Sequence, residues 1–426
     1  MKITIDEFIN TEYKEYAEYV AFKRALPSLI DSFKDTRRKI FYYMLQSKNK
    51  GFMRVSSCGG GISEKCNYHH AETSAQSTIV NMMKNFPSSN NIPYFLAKGA
   101  IGSKIMPNAV GAPRYIQVAY NTLMDYVYLD NNLVIENDDI ESPEPKYYYP
   151  IIPMFLVNGI SGIGIGFACN ILPRKPKDII KQIKNILQDK NTKNIEPHYL
   201  NCDYDIQHID SNTYEIAGKI IQKDKLCEIT EVPPNISREK IIASLIELQD
   251  DKKIKSYSDE SKENWLIKVK LSDDIDLLSE LKLKKRVTEN FTLLDEHNSI
   301  RVFKDVRELL EHFVNFRLTI YEKRIKQKIT DLQAEIPKLN LLLDLINFIQ
   351  SENKFDIDDI YKKFDKTYTK ALIDNAIQKP LKYFFKASSN QFQSKIQELK
   401  KEIKYYNQVT ARELYLQDLE ILKGKI

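Results

Sequence analysis

Apolar residues recur at helical spacing from early in the chain. Tyr16, Val20 and Ala21, then Leu29, Phe33, Ile40, Phe41, Met44 and Leu45, predict a helical stretch over residues 10–47. It breaks at Pro27, which has no amide to donate and whose ring clashes with the preceding turn. A glycine-rich turn at Gly59, Gly60 and Gly61 then precedes a second helical run from Ala71 to Lys84, and Pro87, Asn90, Asn91 and Pro93 mark loops. Two helices flanked by turns, followed by a loop, predict a winged-helix arrangement.

From about residue 141 the pattern changes. Pro143, Pro145, Pro150 and Pro153 punctuate the chain, and β-prone runs follow at Tyr214–Ile221 and Trp265–Leu271, so a mixed α/β domain is expected. Beyond about residue 303 glycine nearly disappears. Leu318, Ile325, Ile329, Leu332, Ile336, Leu339, Leu343 and Ile346 then fall at heptad spacing, with Pro337 inside the run expected to kink the helix. A matching stripe, Phe392, Ile396, Leu399, Ile403 and Tyr406, predicts that the two arms pair as an antiparallel coiled coil. Between them, residues 352–386 form a helical insert rich in aromatics: Phe355, Tyr361, Phe364, Tyr368, Tyr383, Phe384 and Phe385. That clustering suits an interface or a small local core.

Composition narrows the class. With 63 Lys plus Arg against 58 Asp plus Glu, the net charge of +5 carries no argument for nucleic-acid binding; only clustering does. Nine cations, Lys23, Arg24, Lys34, Arg37, Arg38, Lys39, Lys48, Lys50 and Arg54, stand against Asp31 and Asp35 in one stretch, a candidate phosphate-binding face. Five cysteines without a C-x-x-C pair argue for neither a disulfide framework nor a zinc site, and a reducing compartment fits best. A polar N-terminus and the lack of a long apolar run predict a cytoplasmic protein without a membrane span.

Three segments are candidates for chemistry. With 25 tyrosines in the chain, context must single one out. Tyr115 sits in GAPRYIQV, where Pro113 stiffens the approach and Arg114 sets a planar, permanent cation beside the phenol. A phenol attacking a phosphodiester needs such cations to favour its ionised form and to stabilise charge on the phosphoryl oxygens. KCNYHHAE, residues 65–72, places His69 and His70 side by side, able to take a proton or hold a phosphate, though adjacent histidines are more often exposed loop residues. NGISGIGIGF, residues 158–167, lacks the βαβ context of a dinucleotide loop. It reads instead as a glycine-permitted turn presenting Ile160, Ile163 and Ile165 to a core, or as a mount for one isoleucine that wedges between base pairs. No P-loop occurs, and residues 130–142 offer no convincing spaced carboxylate pair for magnesium.

In order along the chain, these segments resemble the breakage–reunion (A-type) subunit of type IIA DNA topoisomerases. YVAFKRALPSLIDSFKDTRRKIFYYM (19–44) is similar to that family's RALP and D-G-L-K-P block, and YHHAE (68–72), SNNI (89–92), APRYI (112–116) and YPIIPMFLVNGISGIGIGF (149–167) follow in family order. The likeness departs at Ser32, Asp35 and Ala71, where the family pattern has glycine, proline and glycine, and it is loose over residues 98–111. In its short length the chain most resembles the separate medium subunit of a T4-like bacteriophage topoisomerase, which would place it in the host cytoplasm.

The resemblance implies a mixed α/β, mainly helical fold: a winged-helix DNA-gate domain (1–145), an α/β tower (146–302), and a coiled coil (303–350 and 391–426) carrying a helical dimerisation gate (351–390). It implies an isomerase in which Tyr115 attacks a DNA phosphate to form a 5′-phosphotyrosyl link, with Arg114 stabilising the transition state and His70 and His69 assisting. Arg24, Lys34, Arg38, Lys39, Arg54 and Lys65 would contact DNA, and Ile163 would be the wedge. Mg2+ and ATP would be held by a separate ATPase/toprim subunit, with no metal on this chain, and two copies would pair at the DNA gate and the distal gate around double-stranded DNA. The competing expectation is a winged-helix DNA-bending dimer without chemistry.

Overall fold

A computed structural model describes residues 4–426 except 88, 235, 353 and 355. The chain divides into two compact units, Met1–Arg317 with Asp418–Ile426, and Leu318–Gln417.

In the first unit a helical segment, α1 (residues 5–25), alternates α and π turns and buries nothing before Ala21. It ends as Leu26 turns extended ahead of Pro27, the restriction proline imposes on its predecessor. Helix α2 (Asp35–Gln46) buries Ile40, Phe41 and Met44. The Phe41 ring packs 4.7 Å from Tyr128 and 4.9 Å from Tyr148. Beneath it, the buried Asp31 carboxylate accepts from the Phe33 amide at 3.0 Å, from Arg38 Nε at 2.6 Å and Nη2 at 3.1 Å, and from the Tyr148 amide at 3.3 Å.

Helix α3 (Val55–Lys65) runs straight through Gly59, Gly60 and Gly61, correcting the expected turn. Packing overrides propensity here. A Cβ at Gly59 would stand 2.9 Å from Gln76 Cγ on α4 (Glu72–Met83), and one at Gly61 would stand 2.2 Å from the Tyr43 hydroxyl. Close helix approach outweighs the roughly 1 kcal/mol that each glycine costs a helix interior relative to alanine. Strands β1 (Met53–Arg54), β2 (Phe95–Lys98) and β3 (Gln117–Tyr120) form an antiparallel sheet in the order β1-β3-β2, completing the winged-helix arrangement.

Further along, β4 (Ile160–Ile163) and β5 (Ala168–Ile171) make a hairpin. A four-stranded antiparallel sheet contains Lys219–Lys223, Leu226–Glu231, Ile254–Asp259 and Ile267–Leu271. The helix Arg238–Asp250 packs on it, and Ile229, Leu245, Trp265 and Ile267 share its core. A second sheet pairs Asp205–Asp210, Thr213–Ala217 and Lys284–Thr288. The β-prone runs at 214–221 and 265–271 therefore lie in sheets as expected. Arg174 and Glu289 form a fully buried ion pair, Nη1 to Oε1 2.8 Å and Nη2 to Oε2 2.5 Å, and two further guanidinium donors reach the carbonyls of Ile195 and Leu172.

The helix Val306–Ser351 continues into the second unit. There Tyr321 stacks on Tyr415 at 4.6 Å, Lys328 pairs with Glu402 at 3.5 Å, and Leu339 and Phe392 join one apolar cluster. Residues ascending on one arm meet residues descending on the other, so the arms run antiparallel, with Leu332, Ile346, Ile396 and Leu399 buried. Pro337 lies inside the helix. The insert holds helices Ile357–Phe364 and Lys370–Ile377; Tyr361 and Phe364 of the first, with Tyr368 on the connection between them, pack into that cluster, while Phe385 is exposed. Phe355 lies outside the described residues.

The buried pair supports a stability prediction. Arg174→Met should lower the unfolding free energy by about 3–5 kcal/mol, because Glu289 is left charged in an apolar interior. Urea denaturation checks this, and Arg174→Met with Glu289→Leu should recover most of the loss.

Candidate active site

Tyr115 lies on the connection between β2 and β3. The first amides of a helix have no acceptor within it, and in α3 these amides reach across to that connection. Val55 N donates to Ile116 O at 2.9 Å and Ser56 N to Pro113 O at 3.2 Å, while Tyr115 N closes a turn on Ala112 O at 2.8 Å. The backbone on both sides of Arg114 and Tyr115 is thus fixed on the positive end of a helix dipole. The side chains stay outside. Tyr115 is 71% exposed, and the Arg114 guanidinium sits 4.9 Å from its ring centroid. Arg54, also exposed, immediately precedes the same helix end.

A second group of residues forms a cationic trough of about 490 Å3, lined by Lys23, Arg24, Lys34, Arg37, Tyr68 and His70 among others. The His70 ring stands edge-on to Tyr68 at 5.3 Å; His69 and His70 are both exposed. A neighbouring cavity shares Arg37 and Asn81 and adds Lys84 and several asparagines. Arg37 therefore faces both spaces, a position its sequence neighbourhood does not distinguish from Arg38. Tyr115 and Arg114 line neither cavity. Lys65 is exposed at the far end of α3, roughly 15 Å along the helix from Arg54.

Two of the expected DNA contacts point inward. Arg38 holds Asp31; burial works against its charge, but Asp31 more than offsets this and raises its pKa. Lys39 is buried against Glu144 at 2.8 Å and the Cys66 carbonyl at 2.9 Å. Both charges face internal carboxylates here and not the open surface.

Lys34 is mostly buried and donates to the Ser161 carbonyl at 2.8 Å, tying the start of α2 to the β4–β5 hairpin. Burial pushes its ammonium down to about 8. The hairpin is pressed so close to α1 that a Cβ at Gly162 would stand 1.9 Å from Ala25 O. Of the three isoleucines, only Ile160 is buried; Ile163 projects into solvent, 88% exposed.

A family model for the A-type subunits of DNA gyrase and topoisomerase IV matches residues 24–421. The chain belongs to that family. Among curated relatives of this gyrase-A-type chain are the mitochondrial DNA topoisomerase 2 of Dictyostelium discoideum, 32% identical over 82% of this chain and 28% of its own length, and human DNA topoisomerase 2-beta, 30% identical over 79% and 22%. The chain thus spans about a quarter of the length of these relatives. It also superposes on the Plasmodium falciparum topoisomerase II DNA-binding, cleavage and re-ligation domain with a TM-score of 0.89, at 25% identity over 98% of this chain and 64% of that one.

The hairpin geometry of the gyrase-A-type chain predicts two outcomes. Ile163→Ala should change stability by less than about 0.5 kcal/mol, because an exposed side chain is removed, whereas Gly162→Ala should destabilise measurably in the same urea titration. Lys34 supplies a pH signature. Its folded value lies below the ordinary 10.5, so between about pH 8 and 10.5 the unfolded chain holds a proton that the native state has released. Stability should therefore rise with pH across that window, relative to Lys34→Met; a gap between the two proteins that stays flat would contradict the burial of this charge.

Proposed function

We propose that this chain is the DNA-cleaving and religating subunit of an ATP-dependent type II DNA topoisomerase. The observation that carries the reading is the Arg114–Tyr115 turn: a phenol held in solvent on a fixed backbone, beside a permanent cation, in a chain of the gyrase A family. The Tyr115 oxygen attacks a DNA phosphorus, the bond to the 3′ oxygen breaks, and the 5′ end stays on the tyrosine. The phenolic proton passes to a base, the role assigned to His70 with His69, and Arg114 stabilises charge on the phosphoryl oxygens. The phosphotyrosyl bond retains the energy of the phosphodiester, so the 3′ hydroxyl reseals the strand without ATP.

Arg24, Arg54 and Lys65 supply exposed charge for the DNA backbone, with the half-buried Arg37 on the trough wall, and Ile163 is the wedge that bends the cleaved duplex. Among the described residues, no group of three or more His, Cys, Asp or Glu is arranged to hold a metal ion. No step assigned to this chain runs through one. Mg2+ and ATP belong in this reading to an ATPase/toprim partner, as in an assembly built around a T4-like medium subunit in the host cytoplasm. Two copies would meet at the DNA gate formed by residues 1–145. They would meet again at a distal gate, residues 351–390, carried on the antiparallel arms as a coiled coil beyond the tower of residues 146–302.

Mixed with the partner subunit, Mg2+ and a labelled duplex, the native chain should form a covalent adduct that survives denaturing electrophoresis, and Tyr115→Phe should form none. Arg114→Ala should lower the rate of adduct formation by roughly 10²–10³-fold, the usual effect of losing one transition-state donor. An adduct with the phenylalanine variant would place the nucleophile on another residue, and none with the native chain would leave the protein as a DNA-bending dimer.

A further inference from the structure

The connection that carries Tyr115 also contains a strap, residues 99–111, whose anchorage is unusual for a loop. Both of its feet stand against the tyrosine turn. Gly99, at φ +100, lies so close that a Cβ there would be 3.1 Å from Tyr115 O, and Gly111 N donates to Ala100 O at 2.9 Å. Ile101 and Val110 form an antiparallel bridge just above. The tip is compact as well. Gly102 holds φ +91 with Pro107 O where its Cβ would be, and Ser103 and Met106 exchange two hydrogen bonds of 3.1 Å.

Loops ordinarily lie in water on polar side chains. This tip instead anchors one side chain in a core: Ile105 is buried, while Met106, Asn108 and Ala109 stay exposed. Ile105 enters the core of the four-stranded sheet, beside Ile229, Val232, Ile241 and Leu245. Lys104 Nζ meets Glu231 Oε1 at 2.6 Å, with both side chains nearly out of solvent, and also reaches Asn201 O at 3.4 Å. The other Glu231 oxygen has no hydrogen-bond partner among the described residues. From the opposite side, Lys84 Nζ donates to Pro107 O at 3.1 Å.

We infer that this strap couples the Tyr115 turn to the four-stranded sheet, with Lys104 and Ile105 as positioning residues for the tyrosine; the inference rests on Tyr115 being the nucleophile. A braced tip and two feet on the turn leave little slack. A shift of the sheet is transmitted to the tyrosine backbone, and a nucleophile displaced by about an ångström loses on the order of a hundredfold in rate. Lys104 touches no substrate in this scheme. It holds the strap at the distance that presents the phenol.

The test uses the full chain with its ATPase/toprim partner, Mg2+ and a labelled duplex. Lys104→Met should reduce the rate of covalent adduct formation by on the order of tenfold while duplex affinity changes less than about twofold. Lys104→Met with Glu231→Met removes the stranded carboxylate, restores docking with apolar side chains and should return the adduct to near the native level. Ile105→Val deletes one methylene, keeps the fold and should show the same split at smaller size. The inference is overturned if the variants lose only thermal stability while cleaving like the native chain, or if adduct and affinity fall together. Absence of adduct with the native chain would instead refute the reading of Tyr115.

Discussion

The unpaired amides at the start of α3 are the constraint on which the rest of the site depends. A helix N-terminus must find acceptors, and here they are the Pro113 and Ile116 carbonyls on either side of the candidate nucleophile. One interaction therefore does two jobs. It satisfies the helix and immobilises the turn, so Tyr115 and Arg114 are held outward without being buried. The short wing follows from the same seating, since β1 runs directly into α3 and pairs with β3 just beyond Tyr115.

Around that turn, the protein sorts its cations by burial. Arg38, Lys39 and Arg174 neutralise Asp31, Glu144 and Glu289 inside the fold, whereas Lys23, Arg24 and Arg37 remain on the wall of a trough with His70. A nearly balanced chain thus acquires a local positive surface because part of its positive charge is consumed internally in one place and left open in another. Lys34 belongs to neither class fully. It is mostly buried with a carbonyl rather than a carboxylate on its ammonium, and that bond to Ser161 O secures the hairpin from which Ile163 projects.

The strap at 99–111 extends the same logic to a longer range. Where α3 fixes the tyrosine turn from one side, the Ile105 and Lys104 anchors link it to a sheet formed more than a hundred residues later in the chain. A short braced connection transmits a displacement of the sheet to the turn better than a free loop would.

The sequence alone determined the elements whose signal is local. Periodic apolar positions pointed to α2, though Leu29 and Phe33 fall before its start, and to the helices of both arms; β-prone runs placed strands in the α/β region, and the ordered motifs around PRY made Tyr115 the candidate among 25 tyrosines, with Arg114 beside it. Only the tertiary structure decided what depends on a distant partner. The run at Gly59 and Gly61 lies inside a helix that packs so closely that Gln76 and Tyr43 stand where side chains would be. Lys39 turned inward because Glu144 waits for it, and position 162 admits only glycine because Ala25 O stands where a Cβ would go. Periodicity reports which face of an element is apolar; it carries no record of which carboxylate a long cation will meet, or how closely two backbones will approach.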